Sequence, residues 1–388
     1  MKWMDRLPGH SRGPRLCFVA HFAYGAVTGG SNGHIGGVER QTSLMAKWFA
    51  SHGYQVSMLT WDEGQEDGEV LDGVRVFKVC RQRAGLPGLR FFWPRWSSLN
   101  AAMRRADADI YYQNCGEYVT GQVALWCRQH GRRFIYSVPS DPDCDERLPK
   151  MHSYRERVLY RYGIRTADRV IVQTTTQQRM LKDSFGLDSV VLAMPCPGPS
   201  EKEFAGCQRT RSGSQRVLWV GRIYRVKRLD RLLDLAGRCP DLHFDVLGQR
   251  ADDEYARDVC ERARAIPNIT LHGPIPRDRV SEFYADTMVL CCTSDFEGFP
   301  NTFLEAWSYG VPVVSTFDPD DLIAKRELGR VGKDVGELAA GIRELLDSPE
   351  QWRKASLAAR RYYVENHAVD NVMARFEQEF LRVMDSAG

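Results

Sequence analysis

The sequence predicts an α/β protein built from two doubly wound parallel-sheet domains that face each other across a cleft. Three observations support this fold class. The 388 residues are too many for one core and suit two domains of about 150–200 residues each. Short apolar runs alternate with helical patterns in both halves of the chain, and a segment rich in proline and glycine separates the halves. The composition, 43% hydrophobic and 27% charged, can supply two cores and excludes a disordered chain.

In the first half, short runs rich in β-branched and aromatic residues are typical of strands buried on both faces of a parallel sheet. We predict these strands over residues 16–20, 55–60, 74–79, 110–113, 134–137 and 170–173. Helical patterns between them are clearest over 37–52 and 119–130. Together they define a first domain over residues 1–197.

The stretch from 195 to 213 changes character, and we predict a linker over 198–213 because proline and glycine punctuate it. The alternation then restarts and predicts a second domain over 214–369. Its predicted strands are 216–220, 243–247, 269–272, 289–293 and 311–315, and its predicted helices are 229–238, 254–265, 279–286 and 302–309.

An amphipathic helix is predicted near the end of the chain, where Val372, Phe376, Phe380 and Val383 recur at near-helical spacing. Such a helix can pack on its own domain. Its position after a complete second sheet also fits a return to the first domain, and we assign residues 370–388 there.

Charge is distributed unevenly along the chain. The net charge is +3, with +7 in residues 1–197 and −4 in the remainder. A basic half suggests an anionic partner such as a phosphate group or a membrane surface, and ordinary variation among surface charges is the alternative. No run reaches the roughly 18 apolar residues of a membrane span, and no secretory signal is evident. Eleven cysteines without metal-type pairs indicate reduced thiols, so we predict a cytoplasmic protein.

The strongest functional motif is SDFEGFPNTFLEAWSYGVPVV at residues 294–314. A buried strand is predicted to end just before it, so its loop carries Glu297 to the strand's carboxyl edge. A helix that starts near Asn301 or Thr302 offers unpaired first-turn amides, which form an anion site. Asn301 and Glu305 share a face of that helix. Carboxylates flanking an anion site suit a nucleotide sugar, whereas a loop acid and a helix-surface charge are the structural alternative.

Two further motifs follow predicted strands. After strand 216–220, Gly221 permits a sharp turn, and Arg222 and Lys227 can neutralise a diphosphate, although two surface cations are the simpler interpretation. After the first strand, residues 29–39 read GGSNGHIGGVE, and the glycines let backbone amides approach a ligand. This loop is not GxGxxG, and the chain has no GxxxxGK[ST], which argues against a dinucleotide-binding protein and a P-loop NTPase.

Together these three motifs resemble those of the family 4 retaining glycosyltransferases, which have the GT-B fold of two Rossmann-like domains. The resemblance is highly specific over 216–316 and weaker over 1–195. Three matches carry it: Glu297 and Glu305 fit the family's E-x7-E motif, Gly221-Arg222 with Lys227 fits its GR…K motif, and Gly36-Gly37-Val38-Glu39 fits its N-terminal glycine loop.

The resemblance implies an acceptor-binding first domain and a donor-binding second domain. Glu305 would bind the donor ribose, Glu297 would contact the transferred sugar, and Arg222 and Lys227 would hold the diphosphate. The implied donor-binding residues are Gly36, Gly37, Arg222, Lys227, Gly298, Phe299, Asn301, Thr302 and Glu305. The implied catalytic residues are Glu297, Arg222, Lys227 and Asp141. Neither a cofactor nor a metal is expected, and we assign no metal to the DxD-like positions Asp107, Asp141, Asp143 and Asp318.

The first domain departs from the family pattern. Many relatives place a histidine after its fourth or fifth strand, and this chain has none there. We expect Asp141 to take that place, with Asn114 and His34 as less favoured alternatives. Arg228 also stands after Lys227, where glycine is common in the family, and adds a cation.

Residues 81–96 interleave four arginines with four aromatic residues, and we refer to this segment as the basic aromatic loop. Such a composition suits a membrane interface, where a lipid-linked acceptor would be found. In the alternative, the aromatic side chains pack beneath the loop and the arginines stay solvated. Nothing else in the chain resembles a nucleic-acid module, so no nucleic-acid partner is predicted.

These observations predict a retaining, metal-independent glycosyltransferase that moves a sugar from a nucleotide-diphospho-sugar to a hydroxyl acceptor. The product would belong to a polysaccharide, glycolipid or cell-envelope component. A sugar-nucleotide epimerase or a phosphorylase of the same fold is one alternative, and a non-catalytic sugar-nucleotide-binding protein is another. The enzyme would act in the cytoplasm, at the inner face of the membrane if the basic aromatic loop docks there.

Overall fold

The computed structural model describes residues 13–29, 36–149, 151, 153–210 and 215–385. The chain divides into two compact units. One comprises Met1–Pro195 with Val372–Gly388, and the other comprises Cys196–Asn371. Each unit contains one mostly or wholly parallel β-sheet, which confirms the predicted pair of parallel-sheet α/β domains.

The first unit has an eight-stranded sheet in the described part of the chain. Its strands are β1 Leu16–Val19, β2 Val56–Thr60, β3 Glu69–Leu71, β4 Val74–Lys78, β5 Ile110–Asn114, β6 Arg133–Ser137, β7 Arg169–Val172 and β8 Val190–Val191. The spatial order is β3-β4-β2-β1-β5-β6-β7-β8. Only β3 runs antiparallel to its neighbour within this sheet, and β1, β2 and β5 are buried throughout, as expected for strands covered on both faces.

Helices of the first unit follow the strands in alternation. They are α1 Tyr24–Thr28, α2 Gly37–Ser51, α3 Ser97–Ala106, α4 Tyr118–His130, α5 Tyr154–Thr166 and α6 Thr175–Phe185. Helix α5 begins with a capping box, in which the Ser153 hydroxyl accepts a hydrogen bond from the Glu156 amide and the Glu156 carboxylate accepts one from the Ser153 amide. Local sequence therefore defines where this helix starts.

The second unit has a six-stranded, all-parallel sheet among the residues described. Its strands are β9 Arg216–Val220, β10 His243–Leu247, β11 Ile269–Gly273, β12 Val289–Cys292, β13 Val313–Ser315 and β14 Gly329–Val331, in the order β11-β10-β9-β12-β13-β14. Its helices are α7 Glu201–Thr210, α8 Leu229–Arg238, α9 Glu254–Arg264, α10 Arg277–Asp286, α11 Asn301–Ser308, α12 Leu322–Lys325, α13 Val335–Leu346 and α14 Pro349–Asn366.

The last helix, α15 Val369–Asp385, ends within the first unit. The ring of Phe380 lies 5.1 Å from that of Phe49 and 5.7 Å from that of Tyr112, measured between centroids. The hydroxyl of Tyr54 donates a hydrogen bond to Glu377 at 2.7 Å. The apolar face of α15 therefore completes the core of the first unit.

The segment predicted as a linker over 198–213 differs from the expectation, because it contains helix α7 and belongs to the second unit. Ser200 and Glu203 bond reciprocally at the start of α7. Phe204 is buried beneath the guanidinium of Arg360, which lies 4.8 Å from the ring centroid. The second unit therefore begins at Cys196 rather than at the predicted residue 214.

All eleven cysteines are free thiols, as predicted. Eight of them are buried and three are partly exposed. Cys17 lies in the core of the first unit and Cys291 in that of the second, so these thiols act as small apolar side chains.

Each sheet has one position at which the chain order changes direction. In the first unit it lies between β1 and β5, and in the second it lies between β9 and β12. Connections leave the two strands toward opposite sides at such a switch point, so a crevice opens at their carboxyl ends, where ligands bind in open parallel sheets. These two crevices are the places to examine for function.

Candidate active site

In the second unit, the loops that follow β9 and β12 meet at the switch point. The backbone amide of Asp295 donates to the carbonyl of Val226 at 2.9 Å. The hydroxyl of Thr293 donates to the carbonyl of Lys227 at 2.8 Å and accepts a bond from the Trp219 indole at 3.0 Å. These bonds join the two sequence motifs into one surface at the carboxyl ends of the strands.

Lys227 and Glu297 form an ion pair on this surface. Their side chains are only 22% and 15% exposed, and the hydroxyl of Ser294 donates a second hydrogen bond to the same carboxylate at 2.6 Å. Burial works to lower the pKa of the Lys227 ammonium, but the charge of Glu297 and the hydrogen bond to it outweigh burial and raise that pKa. Lys227 is therefore positively charged at neutral pH, and Glu297 is not the solvated loop acid of the alternative interpretation.

Arg222 lies on the same loop, two residues beyond the end of β9, and its side chain is exposed. Within the described part of the chain its guanidinium has no hydrogen bond or salt bridge. The neighbouring Arg228, by contrast, is paired with Asp230 and Asp295. In this loop Lys227 and Arg228 are thus held by carboxylates, whereas Arg222 can bind an incoming anion.

Helix α11 begins at Asn301, after the loop that carries Glu297. This start agrees with the predicted one near Asn301 or Thr302, and Pro300 occupies the N-cap position, where it provides no side-chain hydrogen bond. The positive end of the helix dipole is therefore not satisfied by a capping side chain. The helix ends at Ser308, and Gly310 follows with φ +63°.

Glu305 lies one turn into α11 and is only 8% exposed. The buried hydroxyl of Tyr284, from α10, donates a hydrogen bond to its carboxylate at 2.9 Å. The interpretation of Glu305 as a helix-surface charge is therefore wrong. A buried carboxylate that accepts a hydrogen bond from a tyrosine hydroxyl is held in one orientation, which suits a ligand-binding role.

Gly248 supports this surface from the neighbouring strand. It follows β10 with φ +148°, and a Cβ atom built on it would lie 1.8 Å from the carbonyl oxygen of Gly221. The amide of Gly221 donates to Leu247 at 3.0 Å, and the amide of Gly248 donates to Gly273 at 2.9 Å. Only glycine fits at position 248, so the turn that presents Arg222 depends on it.

Three residues that support this surface were not predicted from sequence: Ser294, Tyr284 and Gly248. A glycine directly after the predicted strand 243–247 was the available signal for Gly248. Ser294 stands three residues before Glu297 in the motif, but nothing in the spacing specified its hydrogen bond. Tyr284 has no sequence signal, because its contact with Glu305 depends on the packing of α10 against α11.

The glycine-loop residues predicted in the first unit lie at the start of α2. Gly36 is the N-cap, with extended backbone, and Gly37 is the first helical residue. A Cβ atom on Gly36 would lie 2.4 Å from a carboxylate oxygen of Glu39. His34, the alternative sugar contact, lies outside the described residues.

Asp141 and Asn114 differ in their surroundings. Asp141 opens a short 3₁₀ turn after β6, and its carboxylate accepts a hydrogen bond from the Gln177 amide at 3.0 Å. Asn114 ends β5 and is 3% exposed, and neither atom of its amide group has a hydrogen-bond partner among the described residues. Asn114, a less favoured alternative to Asp141 as the sugar contact, thus has unused hydrogen-bonding capacity.

The other DxD-like positions have structural partners. Asp107 pairs with Arg15 and Arg132, and Asp318 accepts hydrogen bonds from the Ile323 and Ala324 amides. The buried Asp143 accepts a bond from the Ser140 hydroxyl at 2.6 Å. The described residues contain no group of three or more histidine, cysteine or acidic side chains placed to hold a metal ion.

The basic aromatic loop (residues 81–96) separates its aromatic side chains into two groups. Phe91 is buried, with the guanidinium of Arg155 3.8 Å from its ring centroid. Trp96 is half-buried beside it, with its ring centroid 5.5 Å from that of Phe91. Four other large apolar side chains of the loop are more than 60% exposed, and these are Leu86, Leu89, Phe92 and Trp93. The alternative in which all the aromatic residues pack beneath the loop is therefore wrong.

The two parallel-sheet units, together with the charged surface at the switch point of the second sheet, define a glycosyltransferase of the GT-B fold. Residues 36–198 match the family of glycosyl transferase 4-like domains, and residues 202–362 match the family described as glycosyl transferases group 1. The two matches together span most of the chain. The chain belongs to the group 1 glycosyltransferases.

Curated relatives agree with this assignment. The chain is 20% identical to an uncharacterized glycosyltransferase of Haemophilus influenzae, over 89% of this chain and 96% of the relative. It is 27% identical to the amylovoran biosynthesis glycosyltransferase AmsD of Erwinia amylovora, over 72% and 77%. It is also 27% identical to the mannosylfructose-phosphate synthase of Agrobacterium fabrum, over 79% and 76%.

Solved structures confirm the fold. A sucrose-phosphate synthase from Thermosynechococcus elongatus superimposes with a TM-score of 0.77 at 17% identity, covering 96% of this chain and 100% of that one. Anabaena HepE, solved in complex with UDP-glucose, superimposes with a TM-score of 0.72 at 15% identity, covering 95% and 100%.

Proposed function

We propose that the chain is a retaining glycosyltransferase that moves a sugar from a nucleotide-diphospho-sugar to a hydroxyl group. The observation that carries the proposal is the Lys227–Glu297 pair beside the exposed Arg222 at the switch point of the second sheet. Relatives named for amylovoran biosynthesis and mannosylfructose-phosphate synthesis, together with a neighbour solved with UDP-glucose, support this class of reaction. Polysaccharide, glycolipid or cell-envelope biosynthesis is the setting we propose.

Each charged group has a role suited to its surroundings. Lys227 has three N–H donors, and its bond to Glu297 uses one of them, so others can reach a phosphate oxygen. Arg222 can bind the diphosphate in bidentate fashion, with the start of α11 as a further anion site. We assign the ribose hydroxyls to Glu305 and the transferred sugar to Glu297, whose loop also contains Gly298 and Phe299.

In the proposed reaction, the bond between the anomeric carbon and the diphosphate breaks as the acceptor oxygen bonds to the same face of that carbon. The acceptor's proton passes to the leaving phosphate, so no protein nucleophile is needed. Arg222 and Lys227 stabilise the negative charge that develops on the diphosphate, and fixed charges of this kind lower the barrier without reorganising. Asp141 is our proposed contact to the sugar from the first unit.

The experiment is a thermal-shift screen of the full chain against UDP, GDP, ADP and dTDP sugars, followed by NMR of the reaction product. We expect one donor to stabilise the chain, the product to keep the anomeric configuration of the donor, and turnover to survive EDTA. Arg222→Ala should lower kcat/KM by about 10²–10³-fold, the size of loss seen when one oxyanion donor is removed. The matched control is Arg225→Ala, an exposed arginine of the same loop.

Three outcomes would contradict the proposal. An inverted product would exclude retention, and loss of turnover in EDTA would exclude a metal-independent reaction. Epimerised sugar nucleotide formed without an acceptor would favour the epimerase alternative. Slow release of free sugar from the donor, lost in Glu297→Ala, would instead exclude the non-catalytic alternative.

We also propose that the basic aromatic loop docks on an anionic membrane surface. Exposed apolar side chains on an ordered loop that also carries exposed arginines combine the two attractions that hold peripheral proteins at such a surface. The loop is ordered because Arg95 donates a hydrogen bond to the Gln82 carbonyl at 2.7 Å and Phe91 anchors it. No helix in the described residues is long and apolar enough to cross a bilayer.

Vesicle sedimentation tests this docking. The full chain should bind vesicles that contain phosphatidylglycerol more tightly than vesicles of phosphatidylcholine alone. Replacing Leu89 and Trp93 together with serine should weaken binding at least tenfold, about 1.4 kcal/mol, because both side chains lose apolar contact. Leu357→Ser, at an exposed leucine of the second unit, is the control. Equal binding of the loop variant and this control would exclude the loop as the docking surface.

A further inference from the structure

Arg228 adopts a backbone conformation that is uncommon for a residue with a Cβ atom. It lies between the 3₁₀ turn Arg225–Lys227 and helix α8, with φ +49° and ψ +51°. Glycine adopts this left-handed conformation readily, whereas in other residues it is strained and persists only where the surrounding structure holds it in place. Interactions of the Arg228 side chain must therefore offset the strain.

The guanidinium of Arg228 is anchored on helix α8. Its Nε and Nη2 atoms donate to the two carboxylate oxygens of Asp230 at 3.0 and 2.8 Å, a bidentate arrangement that fixes the plane of the guanidinium. The hydroxyl of Tyr255, from α9, donates to the same carboxylate at 2.6 Å. Asp230 is therefore held from a second side, and the anchor determines where the remaining nitrogen of Arg228 points.

That remaining nitrogen, Nη1, reaches the loop after β12. It donates to Oδ1 of Asp295 at 3.1 Å, and Nη2 of Arg231 lies 2.8 Å from the same oxygen. Arg231 also donates to the Thr293 carbonyl at 3.0 Å. Bidentate and networked ion pairs contribute to stability at a surface, whereas isolated exposed pairs contribute little. We refer to Arg228, Asp230, Asp295 and Arg231 together as the arginine clamp.

The arginine clamp joins the two loops that carry the proposed donor contacts. Lys227 directly precedes Arg228, and Glu297 lies two residues after Asp295. A shift of either loop would therefore move the Lys227 ammonium relative to the Glu297 carboxylate, and a misplacement of about 1 Å can cost about 10²-fold in rate. Because Arg228 is paired with two carboxylates, it does not serve as the additional phosphate-binding cation that its sequence position suggested.

We propose that Arg228 is a positioning residue, which acts through Asp295 to hold the two loops of the donor site in a fixed relation. The groups that it positions are Lys227 and Glu297. This inference rests on the proposed transferase function for its effect on turnover. Arg222 and the start of α11 would still bind the diphosphate without the clamp, so its loss should lower kcat more than it raises KM.

The variant Arg228→Gly tests the proposal in the full chain. Glycine relieves the left-handed strain while it removes the guanidinium, so the chain should stay folded. The kinetic readout is release of glucose from UDP-, GDP-, ADP- and dTDP-glucose, with water as the acceptor. We expect kcat to fall about tenfold or more, and KM for the donor to change by less than about threefold.

Amide hydrogen exchange provides a readout that does not depend on turnover. In the parent chain, the Asp295 amide donates to the Val226 carbonyl at 2.9 Å. Without the clamp this bond should open more often, so exchange over residues 293–297 should become about tenfold faster or more in Arg228→Gly. Mass spectrometry of peptides that cover these residues measures it.

Glu327→Gly is the matched control. Glu327 also has a left-handed backbone, with φ +55°, and its carboxylate pairs with Lys354 of α14 at 2.7 Å. The substitution therefore relieves the same kind of strain and removes an ion pair in the same unit. Its kinetics and its exchange over 293–297 should equal those of the parent chain.

A double variant tests whether Arg228 acts through Asp295. Asp295→Ala removes the partner of both clamp arginines, so it should lower kcat at least as much as Arg228→Gly. The double variant should be no slower than Asp295→Ala, because two residues that act as one unit are not additive. Should Arg228→Gly fail to fold by circular dichroism, Arg228→Asn replaces it, since asparagine tolerates the left-handed conformation.

The proposal is overturned if Arg228→Gly keeps the parent kcat or the parent exchange over 293–297, or if the losses in the double variant add. A rise in KM at unchanged kcat would place the guanidinium on the donor itself and also overturn it. If the parent chain shows neither a thermal shift nor glucose release with any donor, the transferase proposal fails. The exchange measurement then decides by itself whether Arg228 holds the loop.

Discussion

Replacing Lys227 with methionine should remove most of the transferase activity and destabilise the second unit. The variant loses a cation that we assign to the diphosphate, so kcat/KM should fall by about 10³-fold. It also leaves the carboxylate of Glu297, 15% exposed, with Ser294 as its remaining bonded partner. An unpaired charge in a partly buried site should reduce the free energy of unfolding by about 2 kcal/mol, between the values for exposed and buried pairs.

The double variant Lys227→Met/Glu297→Gln separates the two effects. Removing both charges relieves the unpaired carboxylate, so urea unfolding should show most of the lost stability restored. Activity should stay low, because the cation is still missing and Glu297, the proposed contact to the transferred sugar, is changed as well. Recovery of activity together with stability would mean that Lys227 serves the fold and does not touch the donor.

The Lys227–Glu297 pair makes the free energy of unfolding depend on pH in a direction that can be predicted. The folded-state pKa of Lys227 is raised above the ordinary lysine value of 10.5. The contribution of Lys227 to the free energy of unfolding is therefore fully present below the unfolded pKa and is lost only as pH rises through the folded pKa. The difference in unfolding free energy between the parent chain and Lys227→Met should therefore be constant from about pH 6 to 9 and shrink above about pH 10.

The sequence predicted the central elements of both sheets because strands covered on both faces need unbroken apolar runs. The bounds of β9, β10 and α8 agree with the predicted 216–220, 243–247 and 229–238. Of the four edge strands, β11 was predicted over 269–272, whereas β3, β8 and β14 were missed. Strand β8 has two residues and β14 reads GRV, so neither contains an apolar run long enough to identify.

Prolines and glycines near residue 200 predicted a linker, but the segment contains helix α7. The reciprocal bonds of Ser200 and Glu203 start α7 despite the preceding prolines. Phe204 packs beneath Arg360, which lies more than 150 positions later in the chain. No local sequence pattern could therefore have indicated this contact.

Motif spacing was more informative for the charged residues of the second unit's site than for the contacts between them. Lys227 and Glu297 were each placed at the end of a strand, but their direct pairing required β9 and β12 to be neighbours. Arg228 was expected to add a cation, and its pairing with Asp295 depends on the same adjacency. Sheet order is a tertiary property that alternation of strands and helices does not specify.

Replacing Gly248 with alanine should be the most destabilising small substitution at the second unit's site. Its φ of +148° is unfavourable for any residue with a Cβ atom, and the added methyl group would lie 1.8 Å from the Gly221 carbonyl oxygen. Backbone strain of about 1–3 kcal/mol and overpacking of about 1–3 kcal/mol add to a loss of about 4 kcal/mol in the free energy of unfolding. Urea unfolding of the full chain, followed through the transition of the second unit, measures it.

The matched control is Gly237→Ala. Gly237 lies in the last turn of α8 with no atom within 4 Å of a built Cβ, so alanine should raise stability by about 0.5–1 kcal/mol. If Gly248→Ala folds with parent-like stability, the contact between the ends of β9 and β10 is not as close as described. If it folds but binds the donor weakly, the displaced Gly221 carbonyl has moved Arg222 with it. In that case the glycine at 248 keeps the diphosphate-binding turn in place, which connects a steric constraint in the sheet to the proposed chemistry.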